Sequence, residues 1–183
     1  MMKKPIVITI AAVGGGGKTT AIELLNKQLG NTKALFFDDY DFEGPSDLVD
    51  WARRGGDYNE WKLTPFIRDV TMLLEEKESK PDYILLDYPF AKLNNEMNEF
   101  IDLTIFIDTP LDIAMSRRIL RDYGHSSGDD IRKDMTAYLS GAREAYMMMI
   151  DKIKPNSDFV IDGALDKQVI VDQIKEIIIR KFT

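Results

Sequence analysis

The stretch Ile6-Val7-Ile8-Thr9-Ile10-Ala11-Ala12-Val13 runs directly into Gly14-Gly15-Gly16-Gly17-Lys18-Thr19-Thr20. The first half is apolar and rich in β-branched residues, which predicts a buried strand of a parallel sheet. The second half is a glycine-rich loop that opens a helix, and such loops bring backbone N–H groups close to phosphate oxygens. The order of strand, glycine loop and helix therefore predicts that the chain binds the phosphates of a nucleoside triphosphate.

The residues of the loop suit this role one by one. Gly14 to Gly17 would form the anion-binding backbone, with Thr20 among the predicted nucleotide-binding residues. Lys18 supplies a mobile cation for the outer phosphates, and Thr19 supplies a hydroxyl for a Mg²⁺ ion that bridges them. The usual pattern begins with glycine where this chain has Ala12, and the alternative is a flexible hinge. A hinge, however, has no need of the Lys-Thr-Thr sequence or of a place between a strand and a helix.

The composition sets limits on the fold and on the partners. The 183 residues, 44% hydrophobic and 30% charged, predict one soluble globular domain over residues 1–183. No apolar run approaches the roughly 18 residues of a membrane span, and a net charge of −7 argues against binding to nucleic acid or to an anionic membrane. The absence of cysteine excludes disulfides, thiolate metal sites and a cysteine nucleophile. We expect a cytoplasmic protein.

Apolar runs and helical periodicities alternate along the rest of the chain. Four further strands are predicted at Ala34–Phe37, Asp82–Asp87, Leu103–Asp108 and Asp158–Asp162. Helices are predicted at Thr19–Leu29, Leu63–Glu78, Pro110–Asp122, Ile131–Lys152 and Leu165–Phe182. This alternation predicts an α/β fold in which helices flank a parallel sheet. We expect the core to include the cluster Met147-Met148-Met149 and the stripe Ile170, Ile174, Ile177 and Ile178.

Carboxylates follow several of these strands at the C-terminal end, where open parallel sheets bind their ligands. Asp38 and Asp39 follow the second strand, and Asp87 ends the third. We therefore expect these three carboxylates to converge on the crevice that contains the glycine loop. Asp87 would hold Mg²⁺ beside the loop, directly or through water, and the alternative is a helix cap. For Asp108 we predict a structural role as a helix N-cap or a turn residue, and for Asp162 a role in a turn.

A phosphoryl-transfer site also needs a carboxylate for the proton of the acceptor hydroxyl, and positive charge around the transferred group. Either Asp38 or Asp39 can supply the carboxylate, because adjacent residues that leave a strand point to different sides. Arg117, Arg118 and Arg121 can supply the charge, and the glycine-containing loop after them suits a lid that closes over the nucleotide. The alternative for the arginines is a solvated helix face with ion pairs to nearby aspartates.

Four blocks of sequence carry a resemblance to a known family: Gly-Gly-Gly-Gly-Lys-Thr-Thr at 14–20, Phe37-Asp38-Asp39-Tyr40, Leu85-Leu86-Asp87 and Arg117-Arg118-Ile119-Leu120-Arg121-Asp122. In their order and spacing they resemble the P-loop nucleoside kinases of the uridine kinase-like group, over residues 5 to about 165. The resemblance implies a P-loop kinase fold with a five-stranded parallel sheet, with ATP as co-substrate, Mg²⁺ and a small-molecule acceptor. It also implies that Asp38 takes the proton of a primary hydroxyl, with Asp39 and Tyr40 as substrate-binding neighbours.

The same resemblance divides the chain into functional segments. Residues from about 40 to 62 correspond to the acceptor-binding insertion, and residues from about 117 to 130 to a mobile arginine lid. Lys18, Arg117 and Arg121 would then act on the transferred phosphoryl group, and Arg118 would bind the nucleotide. The family usually has glutamate where this chain has Asp87, and the shorter side chain allows metal contact through water.

The motifs are also compatible with other acceptors and with one other class of protein. The acceptor could be a nucleotide, a coenzyme precursor or a sugar on the same scaffold. A nucleotide-hydrolysing switch would need no carboxylate aimed at a small alcohol, and the chain has no Asn-Lys-x-Asp segment to recognise guanine. The predicted function is therefore transfer of the γ-phosphoryl group of ATP to a small hydroxyl compound, with the primary hydroxyl of a nucleoside favoured.

Overall fold

Five parallel strands form one sheet in the computed structural model, which describes residues 4–182. The strands are β1 (Ile6–Ala11), β2 (Thr32–Phe36), β3 (Tyr83–Asp87), β4 (Leu103–Asp108) and β5 (Phe159–Asp162). Their order across the sheet is β2-β3-β1-β4-β5, so the strand before the glycine loop is the central one. The predicted five-stranded parallel sheet is confirmed. The predicted domain, 1–183, begins and ends outside the described residues and stays a prediction.

Helices connect the strands and cover both faces of the sheet. They are α1 (Lys18–Gln28), α2 (Leu48–Arg53), α3 (Thr64–Glu75), α4 (Asn95–Asn98), α5 (Leu111–Asp122), α6 (Gly128–Ala137), α7 (Arg143–Met148) and α8 (Lys167–Phe182). Short 3₁₀ turns lie at Phe37–Asp39, Tyr58–Glu60 and Lys154–Asn156. Within residues 4–182, no helix has the length and apolar character needed to cross a membrane.

The central strand divides the core into two layers, because its side chains alternate between the faces of the sheet. Ile6, Ile8 and Ile10 belong to a layer formed with α1 and α8. Val7 and Ala11 belong to a second layer, which includes the buried side chains of α3. Every residue of β1 is buried, as expected for a parallel strand that is covered on both faces.

Two groups of predicted core residues can be compared with these layers. In α8, Ile170, Ile174 and Ile178 are buried and Ile177 packs against them, which confirms the predicted stripe. In the methionine cluster, Met148 is buried and Met149 packs against the second layer. The packing face predicted from helical spacing is therefore the one that the molecule uses.

The predicted helix over Ile131–Lys152 is interrupted. A π-helical segment, Tyr138–Ala142, separates α6 from α7, and a second one, Met149–Ile153, follows α7. Gly141 in the first segment has φ 179° and ψ −37°, and a Cβ there would lie 2.8 Å from Cγ1 of Val49. The helix thus changes its pitch where α2 packs against it.

Asp108 and Asp162, the two aspartates with predicted structural roles, differ in what they contact. Asp108 does not cap α5, since the residue before this helix is Pro110, and Asp108 Oδ2 instead accepts a hydrogen bond from Lys154 Nζ at 2.5 Å. Asp108 lies two residues too early in the chain to reach the free N–H groups of the helix. Asp162 accepts a hydrogen bond from the N–H of Ala164 at 2.9 Å, which confirms the predicted turn.

The strand register brings three distant parts of the chain together at one edge of the sheet. Asp87 is aligned with Ile10 of β1 on one side and with Phe36 of β2 on the other. β1 continues into the glycine loop, and β2 continues into the turn that contains Asp38 and Asp39. Residues as far apart in the chain as Ile10 and Asp87 therefore share this edge.

Candidate active site

The glycine loop joins β1 to α1 in a conformation that requires glycine at two positions. Gly15 and Gly17 have φ angles of 81° and 94°, and Gly17 is the residue that precedes α1. A Cβ at Gly15 would lie 2.1 Å from the carbonyl oxygen of Ala114 in α5. A Cβ at Gly17 would have no atom of the described chain within 4 Å. The middle of the loop is therefore packed tightly under α5, while its last glycine faces open space.

Ala12, which replaces the first glycine of the common pattern, is accommodated by another glycine of the loop. A Cβ at Gly16 would lie 2.7 Å from Cβ of Ala12 and 2.8 Å from the carbonyl oxygen of Val13, so the methyl group of Ala12 fits because position 16 is glycine. The N–H of Gly16 donates to the carbonyl of Val13 at 2.8 Å and closes a tight turn. The loop thus keeps its turn without a glycine at position 12.

Asp87, at the end of β3, joins the two functional side chains of the loop. Lys18 Nζ lies 2.6 Å from Asp87 Oδ1, and the Thr19 hydroxyl donates to Asp87 Oδ2 at 2.6 Å. Asp87 is only 3% exposed, and a buried carboxylate requires partners of this kind. Because loop side chains, rather than helix N–H groups, engage both of its oxygens, Asp87 is not a helix cap.

The oxygens of Thr19 and Asp87 also suit a Mg²⁺ ion. Thr19 Oγ1 and Asp87 Oδ2 are within hydrogen-bond distance of each other, so a single cation can contact both. Mg²⁺ prefers oxygen ligands and commonly takes only one or two from protein carboxylates, with the rest from phosphate and water. Among residues 4–182, no three His, Cys, Asp or Glu side chains form a metal-binding group by themselves.

Asp38 and Asp39 lie in the 3₁₀ turn after β2, and both are exposed. They open onto a cleft of about 260 Å³ that we call the acceptor cleft, and its lining residues are Thr19, Glu23, Phe36, Asp38, Asp39 and Asp87. Both candidate bases and both candidate metal ligands therefore share one cleft.

Glu23 is a lining residue that the sequence analysis missed. It adds a fourth carboxylate to the acceptor cleft. Glu23 follows Thr19 by four residues on α1, and residues at that spacing share a helix face. This spacing is the signal that could have identified it.

Tyr40, predicted to bind substrate, does not line the acceptor cleft. Its hydroxyl donates to Oδ2 of Asp69 at 2.9 Å, and its ring packs against Phe42 and Phe66. Burial and the bond to Asp69 raise the pKa of Tyr40 to about 12, and the charge of Asp39 acts in the same direction. Tyr40 is therefore held in an aromatic cluster next to the turn.

Arg117 lines a second cleft, of about 440 Å³, which we call the Arg117 cleft. Nη1 of Arg117 donates to the carbonyl oxygen of Gly163, just after β5, at 3.3 Å. Other lining residues are Gly16, Gly17 and Thr20 from the loop and α1, with Leu165 and Ile170 from the segment around the start of α8. The cleft therefore combines predicted nucleotide-binding residues with apolar side chains.

Arg118 and Arg121 have different surroundings on the same helix. Arg118, 17% exposed, is paired with Asp134 of α6. Arg121, 66% exposed, is paired with Asp122, with Nε and Oδ1 2.6 Å apart. The hydrogen bond to Asp122 raises the pKa of Arg121, and the negative charge of Asp38 contributes in the same direction. The predicted lid thus spans the end of α5, a loop and the start of α6, and its mobility stays a prediction.

The predicted acceptor-binding insertion, residues 40–62, contains α2 and is tied to α7. Arg53 Nε lies 3.0 Å from a carboxylate oxygen of Glu144 in α7. Arg54 binds two carboxylates within the insertion, with nitrogen–oxygen distances of 2.9 and 3.0 Å. Both arginines of this segment are therefore already engaged in ion pairs.

Comparison with known proteins gives matches to a family model, to related sequences and to solved structures. Residues 57–170 match the model of the phosphoribulokinase/uridine kinase family. A uridine kinase from Staphylococcus epidermidis is 26% identical over 199 residues, which cover 93% of this chain and 94% of that protein. Among the solved structures with this fold is TT1252 from Thermus thermophilus, which is 17% identical with a TM-score of 0.56; the match covers 99% of this chain and 100% of that one. Another is shikimate kinase from Aquifex aeolicus, which is 18% identical with a TM-score of 0.51; the match covers 96% of this chain and 98% of that one.

Proposed function

The chain belongs to the phosphoribulokinase/uridine kinase family, and from this membership we propose that it transfers the γ-phosphoryl group of ATP to a hydroxyl group of a small acceptor. The favoured acceptor group is the primary hydroxyl of a nucleoside. The observation that carries the proposal is that Thr19 of the phosphate loop, Asp87 and Asp38 line one cleft. A phosphate loop, metal ligands and a base in one place are the parts required for phosphoryl transfer to an alcohol.

In the proposed mechanism each of these groups has one task. The loop backbone and Lys18 bind the phosphates. Thr19 and Asp87 would hold Mg²⁺, which when bound would neutralise further charge on the phosphates. Asp38 accepts the proton of the acceptor hydroxyl. The oxygen of that hydroxyl forms a bond to the γ-phosphorus, the bond between the γ-phosphorus and the β,γ-bridging oxygen breaks, and ADP leaves. Arg121, which is influenced by the charge of Asp38, stabilises the negative charge of the transferred group.

The Arg117 cleft supports a position for the nucleoside part of ATP. Its apolar residues Leu165 and Ile170 and the guanidinium plane of Arg117 suit an aromatic base. The loop residues Gly16 and Gly17 at the same cleft suit the phosphates that follow. We therefore assign Arg117 to the base, a revision of its predicted role at the transferred phosphoryl group.

The charges around the acceptor cleft favour an acceptor without phosphate or carboxylate groups. Glu23, Asp38, Asp39 and Asp87 line the cleft, and Lys18 is already paired with one of them. The two arginines of the insertion are also paired. A nucleotide or an acidic coenzyme precursor would add negative charge and be repelled. A neutral nucleoside is favoured on these grounds, and a neutral sugar is the second candidate.

Release of ADP from ATP in the presence of Mg²⁺ tests the proposal. The panel of acceptors contains uridine, cytidine, adenosine, ribose, UMP and pantothenate. We expect a neutral nucleoside to raise the rate above that without acceptor, and UMP and pantothenate to have no effect. Stimulation by ribose alone would favour the sugar, and no stimulation by any acceptor would contradict the kinase function proposed here.

Replacement of Asp38 by asparagine tests the base. We expect kcat to fall by about 10² to 10⁴, because an amide cannot accept the proton, while the affinity for ATP is retained. Asp39→Asn is the matched control, since Asp39 is its exposed neighbour in the same turn. Unchanged turnover in Asp38→Asn would remove Asp38 from this role, and a crippled Asp39→Asn would transfer the role to Asp39.

A further inference from the structure

Tyr146 of α7 contacts the first glycine of the phosphate loop. A Cβ at Gly14 would lie 2.7 Å from Tyr146 Oη and 3.3 Å from Cζ, so the phenol end of the ring rests against the loop. Tyr146 lies outside the four sequence blocks, and its contact with the loop joins segments more than 130 residues apart in the chain.

Gly14 lies at the end of the loop that is remote from the Arg117 cleft. That cleft is lined by Gly16 and Gly17 but not by Gly14. If the base of ATP occupies the Arg117 cleft, as in the proposed function, the phosphate chain extends along the loop away from Gly17. Its outermost group then comes to the end of the loop where Tyr146 lies.

The Tyr146 hydroxyl is fixed among charged groups and is available as a donor. The ring of Tyr138 packs edge-on against that of Tyr146, with centroids 5.2 Å apart and an interplanar angle of 86°. Among the described residues, no hydrogen bond engages the Tyr146 hydroxyl. Burial raises the pKa of Tyr146 even though the positive charges of Arg118 and Arg121 oppose this, so the hydroxyl keeps its proton at neutral pH.

We propose that the Tyr146 hydroxyl donates a hydrogen bond to the outermost phosphoryl group of bound ATP. The inference rests on the proposed function, because that function defines which way the nucleotide lies along the loop. A hydrogen bond to a charged phosphate oxygen is stronger than one between neutral groups. The contact would favour ATP over ADP, because ADP lacks the phosphoryl group that receives it.

Replacement of Tyr146 by phenylalanine removes the hydroxyl and keeps the ring. Dissociation constants are measured by calorimetry, with Mg²⁺ present, for a non-hydrolysable ATP analogue and for ADP. We expect the dissociation constant of the analogue to rise about tenfold, and that of ADP to change by less than about twofold. Unchanged binding of the analogue, or an equal loss for both nucleotides, would overturn the proposal.

Tyr138→Phe is the matched control, because it removes the hydroxyl of the neighbouring ring, for which no contact with the loop is seen among the described residues, and it should leave both affinities unchanged. A second test uses Gly14→Ala, whose methyl group would displace the hydroxyl. We expect this change to weaken binding of the analogue more in the wild-type background than in Tyr146→Phe. An equal loss in both backgrounds would contradict the contact.

None of these binding measurements requires an acceptor. The two proposals can therefore fail separately. Absence of acceptor-dependent ADP release contradicts the kinase function. The Tyr146 contact is contradicted only if Tyr146→Phe does not weaken binding of the ATP analogue more than binding of ADP. Thermal unfolding of each variant shows whether the fold is kept.

Discussion

Gly15 and Gly17 have similar backbone angles but different surroundings, and the difference separates two costs of replacing a glycine. Both have a positive φ, which disfavours any residue with a Cβ. At Gly15 the new Cβ would also collide with the carbonyl oxygen of Ala114, whereas at Gly17 it would meet open space. Replacement of Gly15 thus combines backbone strain with a clash, whereas replacement of Gly17 causes backbone strain alone.

We expect Gly15→Ala to lower the free energy of unfolding by about 2 to 5 kcal/mol, as the sum of a strained φ and overpacking against α5. Gly17→Ala should lower it by about 1 to 2 kcal/mol, the part due to the backbone angle alone. Urea denaturation of both variants and the wild type measures the two values. Equal losses would mean that α5 moves aside at no cost.

At the scale of secondary structure elements, α5 and α6 are joined by one well-protected ion pair. Arg118 of α5 and Asp134 of α6 are 17% and 22% exposed. The neighbouring pair of Arg121 and Asp122 lies within α5 and is far more exposed, at 66% and 37%. Removal of one partner of a protected pair leaves the other charge buried without compensation, which destabilises the fold. Exposed ion pairs contribute little to the free energy of unfolding.

Asp134→Asn should therefore lower the free energy of unfolding by about 1 to 3 kcal/mol, since it leaves the Arg118 guanidinium without its carboxylate. Asp122→Asn, the matched control on the exposed pair, should cost less than about 1 kcal/mol. Chemical denaturation at low salt gives both values. A larger loss in Asp122→Asn than in Asp134→Asn would contradict this account of how the two helices are held together.

The elements themselves could be predicted where one local pattern decides the structure. Short apolar runs identified all five strands, because parallel strands that helices cover on both faces are rich in apolar residues. The helix predicted over Ile131–Lys152 was only partly right, because it is kinked at Gly141, where Val49 of another element packs closely. The end of β2 was predicted at Phe37, one residue after the observed end at Phe36, but the 3₁₀ form of the turn that follows was not predicted.

At the scale of the whole molecule, the convergence of the site could be predicted, but its individual contacts could not. The expectation that the glycine loop, Asp38 and Asp87 share a crevice followed from the general behaviour of parallel sheets. With the strand order β2-β3-β1, Thr19 after the loop lines one cleft with Asp38 and Asp87, whereas Gly16 and Gly17 line the Arg117 cleft. Glu23 could have been found from its spacing to Thr19 on α1, but the contact of Tyr146 depends on how α7 packs against the loop. Periodicity predicts that a helix exists, but it does not predict which distant segment the helix contacts.

The stability of the whole protein should depend on pH through a buried tyrosine. Tyr58 is 5% exposed, and burial raises its pKa from 10.0 to about 12. Above pH 10 the unfolded chain releases a proton that the folded protein keeps. The stabilisation is therefore complete below pH 10 and is lost as the pH rises towards 12.

Tyr58→Phe removes the hydroxyl whose pKa differs between the folded and the unfolded protein. Between pH 10 and 12, we expect the free energy of unfolding of the variant to fall less steeply than that of the wild type, by up to about 1.4 kcal/mol per pH unit. Urea denaturation at several pH values from 9 to 12 measures the two slopes, and the values below pH 10 serve as the internal control. Identical slopes would mean that Tyr58 ionises in the folded protein as readily as in the unfolded chain.

The crowding around Gly16 limits how this loop can change during evolution. Position 12 can become glycine in a single step, because the loss of a methyl group creates no clash. Position 16 has no such freedom, since a Cβ there would lie 2.7 Å from Cβ of Ala12 and 2.8 Å from the carbonyl oxygen of Val13. A glycine at position 12 would remove only the first of these two contacts, so we expect position 16 to stay glycine whichever residue stands at position 12.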